Sequence, residues 1–249
     1  MLENLDNQML IKKNKNRFIF FALFFSCLAI ATLGYNAVDN SLTKEDMQYI
    51  PKFLVGIEPL PQKKEYKDEL NFISSVQRTV LEIAPTINFL GLPFGQKRDP
   101  KELYIAKSGL CFDRSRVIEK VLRYSGFKTR HISMYSKNEF GGSAIKTLLT
   151  PGGPSHATSE VLTSRGWLVV DSNDAWLSLD KNDRPIPLED LWFGLENSKP
   201  VEWKNKTPTT LYDEPFIFVY GLYSRHGKFY PPYNFVPDIH IGEFSQNIL

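Results

Sequence analysis

Gly109-Leu110-Cys111-Phe112-Asp113 opens a stretch in which Val117, Ile118, Val121 and Leu122 recur at helical spacing and Gly126 provides a C-terminal stop. The pattern predicts a helix starting at or just before Cys111, with that cysteine in its first turn. A sulfur there stands beside unpaired backbone N–H groups and the positive end of the helix dipole, both of which favour a thiolate. The other cysteine, Cys27, lies in an apolar N-terminal segment. Cys111 therefore has no soluble thiol to pair with, and the question becomes what a free thiol does at a helix start.

Outward from this helix, the elements alternate. Ile73, Val76, Val80 and Ile83 predict a preceding helix over 68–84, ended by Pro85, and Asp99-Pro100 predicts a short helix between the two. Downstream, Thr129 to Ser136 reads as a strand, and a loop with Gly141-Gly142 and Pro151-Gly152-Gly153-Pro154 delivers the chain to His156. His156 to Leu162 and Trp167 to Asn173 read as paired strands, with Trp176 to Leu179 as a continuation. Pro187 to Leu195 reads as a short helix and Phe216 to Leu222 as a strand. The aromatic, proline-rich tail from Tyr220 to Ile239 reads as a wrap around the core, with a sugar or peptide platform as its functional alternative.

The paired strands set a geometry. If Thr163 to Gly166 close the hairpin, Leu162 faces Trp167, Thr158 faces Asp171 and His156 faces Asn173. Residues two apart share a face, so His156, Thr158, Asp171 and Asn173 point the same way. Asp171 is then the diagonal neighbour of His156, roughly 7–8 Å away between backbones, and Asn173 lies directly opposite. Either could orient the imidazole; Asp171 is favoured because a carboxylate also stabilises imidazolium charge. Each residue has an ordinary reading alone, as a small buried thiol, a satisfied polar strand residue or a turn aspartate. Together, in a domain expected to be exported, where idle thiols oxidise, they supply a nucleophile, a base and an orienter.

At these residues the chain resembles the transglutaminase-like superfamily, over approximately Tyr104 to Leu179. Gly109, Cys111 and Asp113 match its Gly-x-Cys-x-Asp block, and Ser115, Gly126 and Arg130 match the small residue, glycine and arginine downstream of that block. His156, Ala157, Glu160, Gly166, Trp167 and Asp171 match the second block, and Thr158 stands where the pattern has an aromatic. The resemblance implies an α+β, papain-like fold, a helix bearing Cys111 packed on an antiparallel sheet bearing His156 and Asp171. It implies Cys111 as nucleophile, His156 as general base then acid, Asp171 as orienter, and Arg130 and Glu160 as supporting residues. The calcium dependence of some animal relatives directs attention to Asp171, Asp174, Asp180 and Asp183, but the glycine and terminal glutamate of a calcium loop are missing. His131, His156, His226 and His240 form no zinc pattern, so no metal and no cofactor are expected.

Thirty basic and twenty-eight acidic side chains, net +2, create no field suited to nucleic acid. From Phe18 to Leu33 the chain is apolar or small, after Lys12, Lys13, Lys15 and Arg17. This predicts insertion with the N-terminus cytoplasmic and the remainder exported. The organisation expected is a cytoplasmic stretch (1–17), a signal anchor (18–35), a polar Pro-punctuated linker (36–66) and the catalytic domain (67–249). Ala29-Ile30-Ala31 allows the rival outcome, a cleaved signal peptide and a secreted protein. Cys27 follows Ser26, as a lipidated cysteine would require, but Phe24-Phe25 makes that a poor lipoprotein signal. The function expected is a membrane-tethered thiol enzyme acting on protein, peptide or cell-envelope amides, a peptidase, amidase or transamidase. The alternative is a non-catalytic cell-envelope binding module on the same fold.

Overall fold

Alternation along β1, Lys128–Ser136, puts Ile132 and Met134 on one face of a sheet, with His131 and Ser133 on the other. β2, Ser155–Thr163, pairs antiparallel with β1, β3, Gly166–Val170, pairs with β2, and β4, Phe216–Tyr220, pairs with the free side of β1. The resulting order is β3-β2-β1-β4. The computed structural model describes residues 18–32, 34, 37–87, 92, 96–138, 142–143, 146–147, 153–199, 201–223 and 238–248, within two units, 1–37 and 38–249.

In the first unit, residues 18–32 form a helix, α1. Among the described residues no helix is long and apolar enough to cross a membrane. Residues 33 and 35, part of the expected anchor, lie outside the described residues.

In the second unit both sheet faces are covered. On one, the apolar stripes of α2 (Lys44–Phe53), α3 (Tyr66–Ile83) and α5 (Cys111–Tyr124) join Leu103 of α4 (Pro100–Ala106) and the sheet residues Val161, Leu168 and Val170 in one core. On the other, Ile132, Met134 and Val169 meet Trp176, Tyr212, Phe216 and the buried face of α6, Leu188–Glu196. A sheet buried on both faces explains why β2 reads poorly as an amphipathic strand: nearly all of it is inside.

The stretch 36–66, expected as a linker, differs from that expectation. Thr43 and Asp46 form a reciprocal cap that starts α2, and Ile50 and Phe53 enter the core. Asp46 is buried because Lys120 of α5 meets it at 2.7 Å, so a polar-looking segment is held by an ion pair from the core helix. Trp176 to Leu179 continues β3 only as isolated bridges, Val170 to Leu177 and Leu179 to Pro185. Most of the Gly141–Gly153 loop and most of the aromatic tail lie outside the described residues. The tail's ends are described. β5, Leu222–Tyr223, pairs with β6, Asp238–Ile239, before α7, Ile241–Phe244.

Candidate active site

Cys111 is the first residue of a 14-residue helix, and its neighbours fix that start. Asp113 turns back to accept the Leu110 N–H at 2.9 Å and binds Arg98 Nε at 3.0 Å, both side chains buried. Gly109 is required for close packing: a Cβ there would stand 2.7 Å from Leu103 Cδ1 and 3.3 Å from Asp113 Cβ. The Gly-x-Cys-x-Asp stretch is thus a packing joint that aims a half-buried sulfur from the positive end of a helix.

The β2–β3 hairpin supplies the other two groups. Leu162 faces Trp167 and Ser159 faces Val170, the register expected, with a tighter turn because Thr163 also pairs with Gly166. Asp171 follows β3 directly. Its Oδ2 accepts from His156 Nε2 at 2.7 Å and from the Tyr212 hydroxyl at 2.8 Å, and its Oδ1 accepts the N–H groups of Asn173 at 2.7 Å and Asp174 at 2.8 Å. Four hydrogen bonds hold this carboxylate. Burial disfavours its charge, but the His156 ring and these donors outweigh burial and hold its pKa below the usual carboxylate value.

His156 is nearly fully buried. Burial opposes the imidazolium, yet Asp171, and after it Cys111 as hydrogen-bond partner and charge, push the pKa up to about 10. Nε2 of the ring is given to Asp171, which leaves Nδ1 as the other ring nitrogen. Asn173, the other orienter weighed from sequence, is found at Nδ1 instead, its amide nitrogen 3.5 Å away. The structure thus places Asp171, and not Asn173, on Nε2 of His156, and Cys111 acts electrostatically on the same imidazole. A thiol paired with an imidazole that holds its proton is equipped to attack a carbonyl carbon and then protonate the departing group.

Several supports went unread in the sequence. Tyr212, on a short 3-10 helix at Thr210–Tyr212, bonds Asp171, meets the His156 ring edge-on at 6.2 Å and stacks on Trp176 at 4.7 Å. Burial, then the Asp171 charge, raises its pKa well above the ordinary value, so its hydroxyl stays a donor. Gln77, beside the apolar stripe of α3, places Nε2 within 2.7 Å of the Asp171 carbonyl, 3.0 Å of that of Asp174 and 2.8 Å of that of Trp176. It pins the loop that carries Asp171 and Asn173. A polar residue next to a buried stripe was the available signal for Gln77; Tyr212 carried none. Thr158, in place of an aromatic, is fully buried and donates to the Val170 carbonyl at 2.8 Å. Arg130 and Glu160 are paired at 2.6 Å, and Glu160 also accepts the Leu188 N–H at 2.7 Å, joining sheet to α6.

Residues 63–172 match the family model of the transglutaminase-like superfamily core. The chain therefore carries a transglutaminase-like domain, of a superfamily whose members are usually cysteine-dependent enzymes, typically proteases or amidases. No solved structure gives a significant match.

Proposed function

We propose that the protein is an exported, membrane-tethered thiol enzyme acting on amide bonds through Cys111, His156 and Asp171. The observation that supports it most is the 2.7 Å His156–Asp171 contact on an imidazole that also interacts with the first-turn Cys111. In the proposed reaction the Cys111 thiolate adds to the amide carbonyl carbon. The C–N bond then breaks, His156 passes its proton to the leaving amine, and a thioester remains on sulfur. Water entering next releases a free acid; an amine entering next makes a new amide. Hydrolysis is the favoured second half, since water is always present. The tether rests on the Lys12, Lys13, Lys15 and Arg17 cluster before the apolar run from Phe18 to Leu33.

Iodoacetamide labelling followed at the Cys111 peptide tests the first half. Cys111 is expected to react much faster than a simple thiol and to lose that rate in His156→Ala. Equal rates in the two proteins would instead favour a binding module on this fold. Incubation with cell-envelope and protein amides, read by mass spectrometry, then separates the acceptors: released acid means hydrolysis, and an isopeptide without free acid means transamidation. Protease accessibility of the 67–249 region in spheroplasts tests export.

A further inference from the structure

The loop from Asp171 to Trp176 closes on itself. The Asp171 N–H donates to the Trp176 carbonyl at 3.1 Å, the Trp176 N–H donates to the Asp174 carbonyl at 2.7 Å, and Asp171 Oδ1 takes the N–H groups of Asn173 and Asp174. This closed loop presents two things. One is the Asp171 carboxylate, set against His156 Nε2 at 2.7 Å. The other is a cluster of backbone carbonyls, those of Asp171, Asp174 and Trp176, which converge on a single atom, Gln77 Nε2, at 2.7, 3.0 and 2.8 Å. Carbonyls taken out of water need a donor, and three drawn to one point also repel each other through their like partial charges. The Gln77 amide nitrogen answers both needs: its two hydrogens, one of them shared, face three oxygens.

The far end of the same amide shows that packing is not the reason for it. Gln77 is fully buried within α3, next to Val76 of the apolar stripe, and among the described residues its Oε1 has no hydrogen-bond partner. Turning the amide over would set Oε1 against three carbonyl oxygens, so the orientation is forced. A buried amide oxygen without a donor is destabilising, and a methionine would fill the same space without one. What the glutamine supplies, and an apolar side chain could not, is the donor that the 171–176 loop requires.

We infer that Gln77 is a positioning residue for the proposed triad: by holding the inward carbonyls of the 171–176 loop, it fixes how the Asp171 carboxylate meets His156, although it touches no reacting atom. This rests on the reading of Asp171 as the orienter of His156, and it places control of that orienter on α3, 94 positions upstream.

The test is Gln77→Met in the full chain, which keeps the volume and removes both N–H groups. It is read in two ways, by NMR titration of the His156 ring protons and by the pH onset of Cys111 labelling with iodoacetamide, with thermal melts to confirm folding. The His156 midpoint is expected to fall toward the ordinary imidazole value, and labelling near pH 6 to slow roughly tenfold, the equivalent of about one pKa unit of lost support. Gln77→Glu, which turns an acceptor toward the same carbonyls, is expected to move both readouts further in the same direction. In an Asp171→Asn background Gln77→Met should change neither, because the carboxylate it positions is gone. Gln77→Asn, whose shorter amide stops short of the loop, carries the same expectations as Gln77→Met and replaces it if that variant does not fold. A folded Gln77 variant with the His156 midpoint and labelling profile of the wild type overturns the inference, as does a Gln77→Met effect that persists undiminished in Asp171→Asn. If wild-type Cys111 labels no faster than glutathione, the nucleophile reading fails, and the His156 titration still decides this inference by itself.

Discussion

Asp171→Asn keeps the shape of the orienting residue and removes its charge, which upsets the balance at His156. Burial alone would lower the imidazole pKa below its ordinary ~6.5; Asp171 and Cys111 reverse this and lift it to about 10. Because the folded value is the higher one, the pair's contribution to stability is fully present below ~6.5 and is lost as pH rises through about 10. On the Asp171 side the folded value is depressed, so its contribution is present above ~3.9 and is lost as pH falls through that depressed value. With asparagine the charge support is gone and burial dominates. The acid-side onset of Cys111 labelling should move to higher pH, toward that of a simple thiol, and the rate near pH 6 should fall by roughly two orders of magnitude, because the imidazolium that pairs with the thiolate is lost. An unchanged acid-side onset in a folded variant would remove Asp171 from the mechanism. At this scale Cys111, His156 and Asp171 could be picked out as the proposed triad because few side chains can act as nucleophile, base or orienter. Tyr212 and Gln77 could not, because a tyrosine among turn residues and a glutamine beside an apolar stripe are ordinary until the carboxylate and carbonyls they hold are located.

At the scale of elements, hairpin register was legible and α2 was not, for physical reasons. A period of two leaves one choice of register once His156 and Asp171 must share a face, and the chain adopts it with Leu162 opposite Trp167. The segment Lys44–Phe53 shows too few apolar residues to declare a buried helix. Its burial depends on Asp46 meeting Lys120, 74 positions away, and Lys120 also holds Asp99 at 2.8 Å. Hydrophobic patterning does not register an internal ion pair. The start of α5 was legible as a helix, but the reason for its glycine appears only in packing. Gly109→Ala places a methyl 2.7 Å from Leu103 Cδ1. Leu103 is fully buried and has little room to swing aside. The substitution is therefore expected to cost about 1–3 kcal/mol, as overpacking does, and to displace the first turn relative to His156. Both should be visible, the first as a lower urea midpoint and the second as slower Cys111 labelling. A variant as stable and as reactive as wild type would mean that the joint yields without moving the sulfur.

At the scale of the molecule, the matched core over 63–172 is held by residues on both sides of it. From the N-terminal side, Asn40 donates to the Tyr223 hydroxyl at 2.9 Å and to Glu243 at 2.8 Å, while Arg116 of α5 reaches Asn40 at 3.1 Å. From the C-terminal side, Glu243 meets Arg123 of α5 at 2.7 Å and the His131 N–H at 3.0 Å. Tyr223 stacks on His131, whose Nδ1 lies 2.7 Å from Glu119. The matched segment also lacks β4, which completes the sheet beside β1, and Tyr212, which braces Asp171. A fragment of residues 63–172 would strip Lys120 of Asp46, Arg123 of Glu243, Arg116 of Asn40 and Glu119 of the Tyr223 hydroxyl. Each broken buried ion pair costs about 3–5 kcal/mol, against a total domain stability of ~5–15 kcal/mol. That fragment is therefore expected to show no cooperative unfolding transition and to label Cys111 at the rate of a free thiol, whereas 38–249 should melt cooperatively and label fast. Within 38–249, Glu243→Ala isolates one part of the network, leaving Arg123 without its carboxylate and the His131 N–H without its acceptor, and should lower stability by about 3 kcal/mol without abolishing fast labelling. A cooperatively folded 63–172 fragment with wild-type thiol reactivity would show that the flanking network decorates the core instead of holding it.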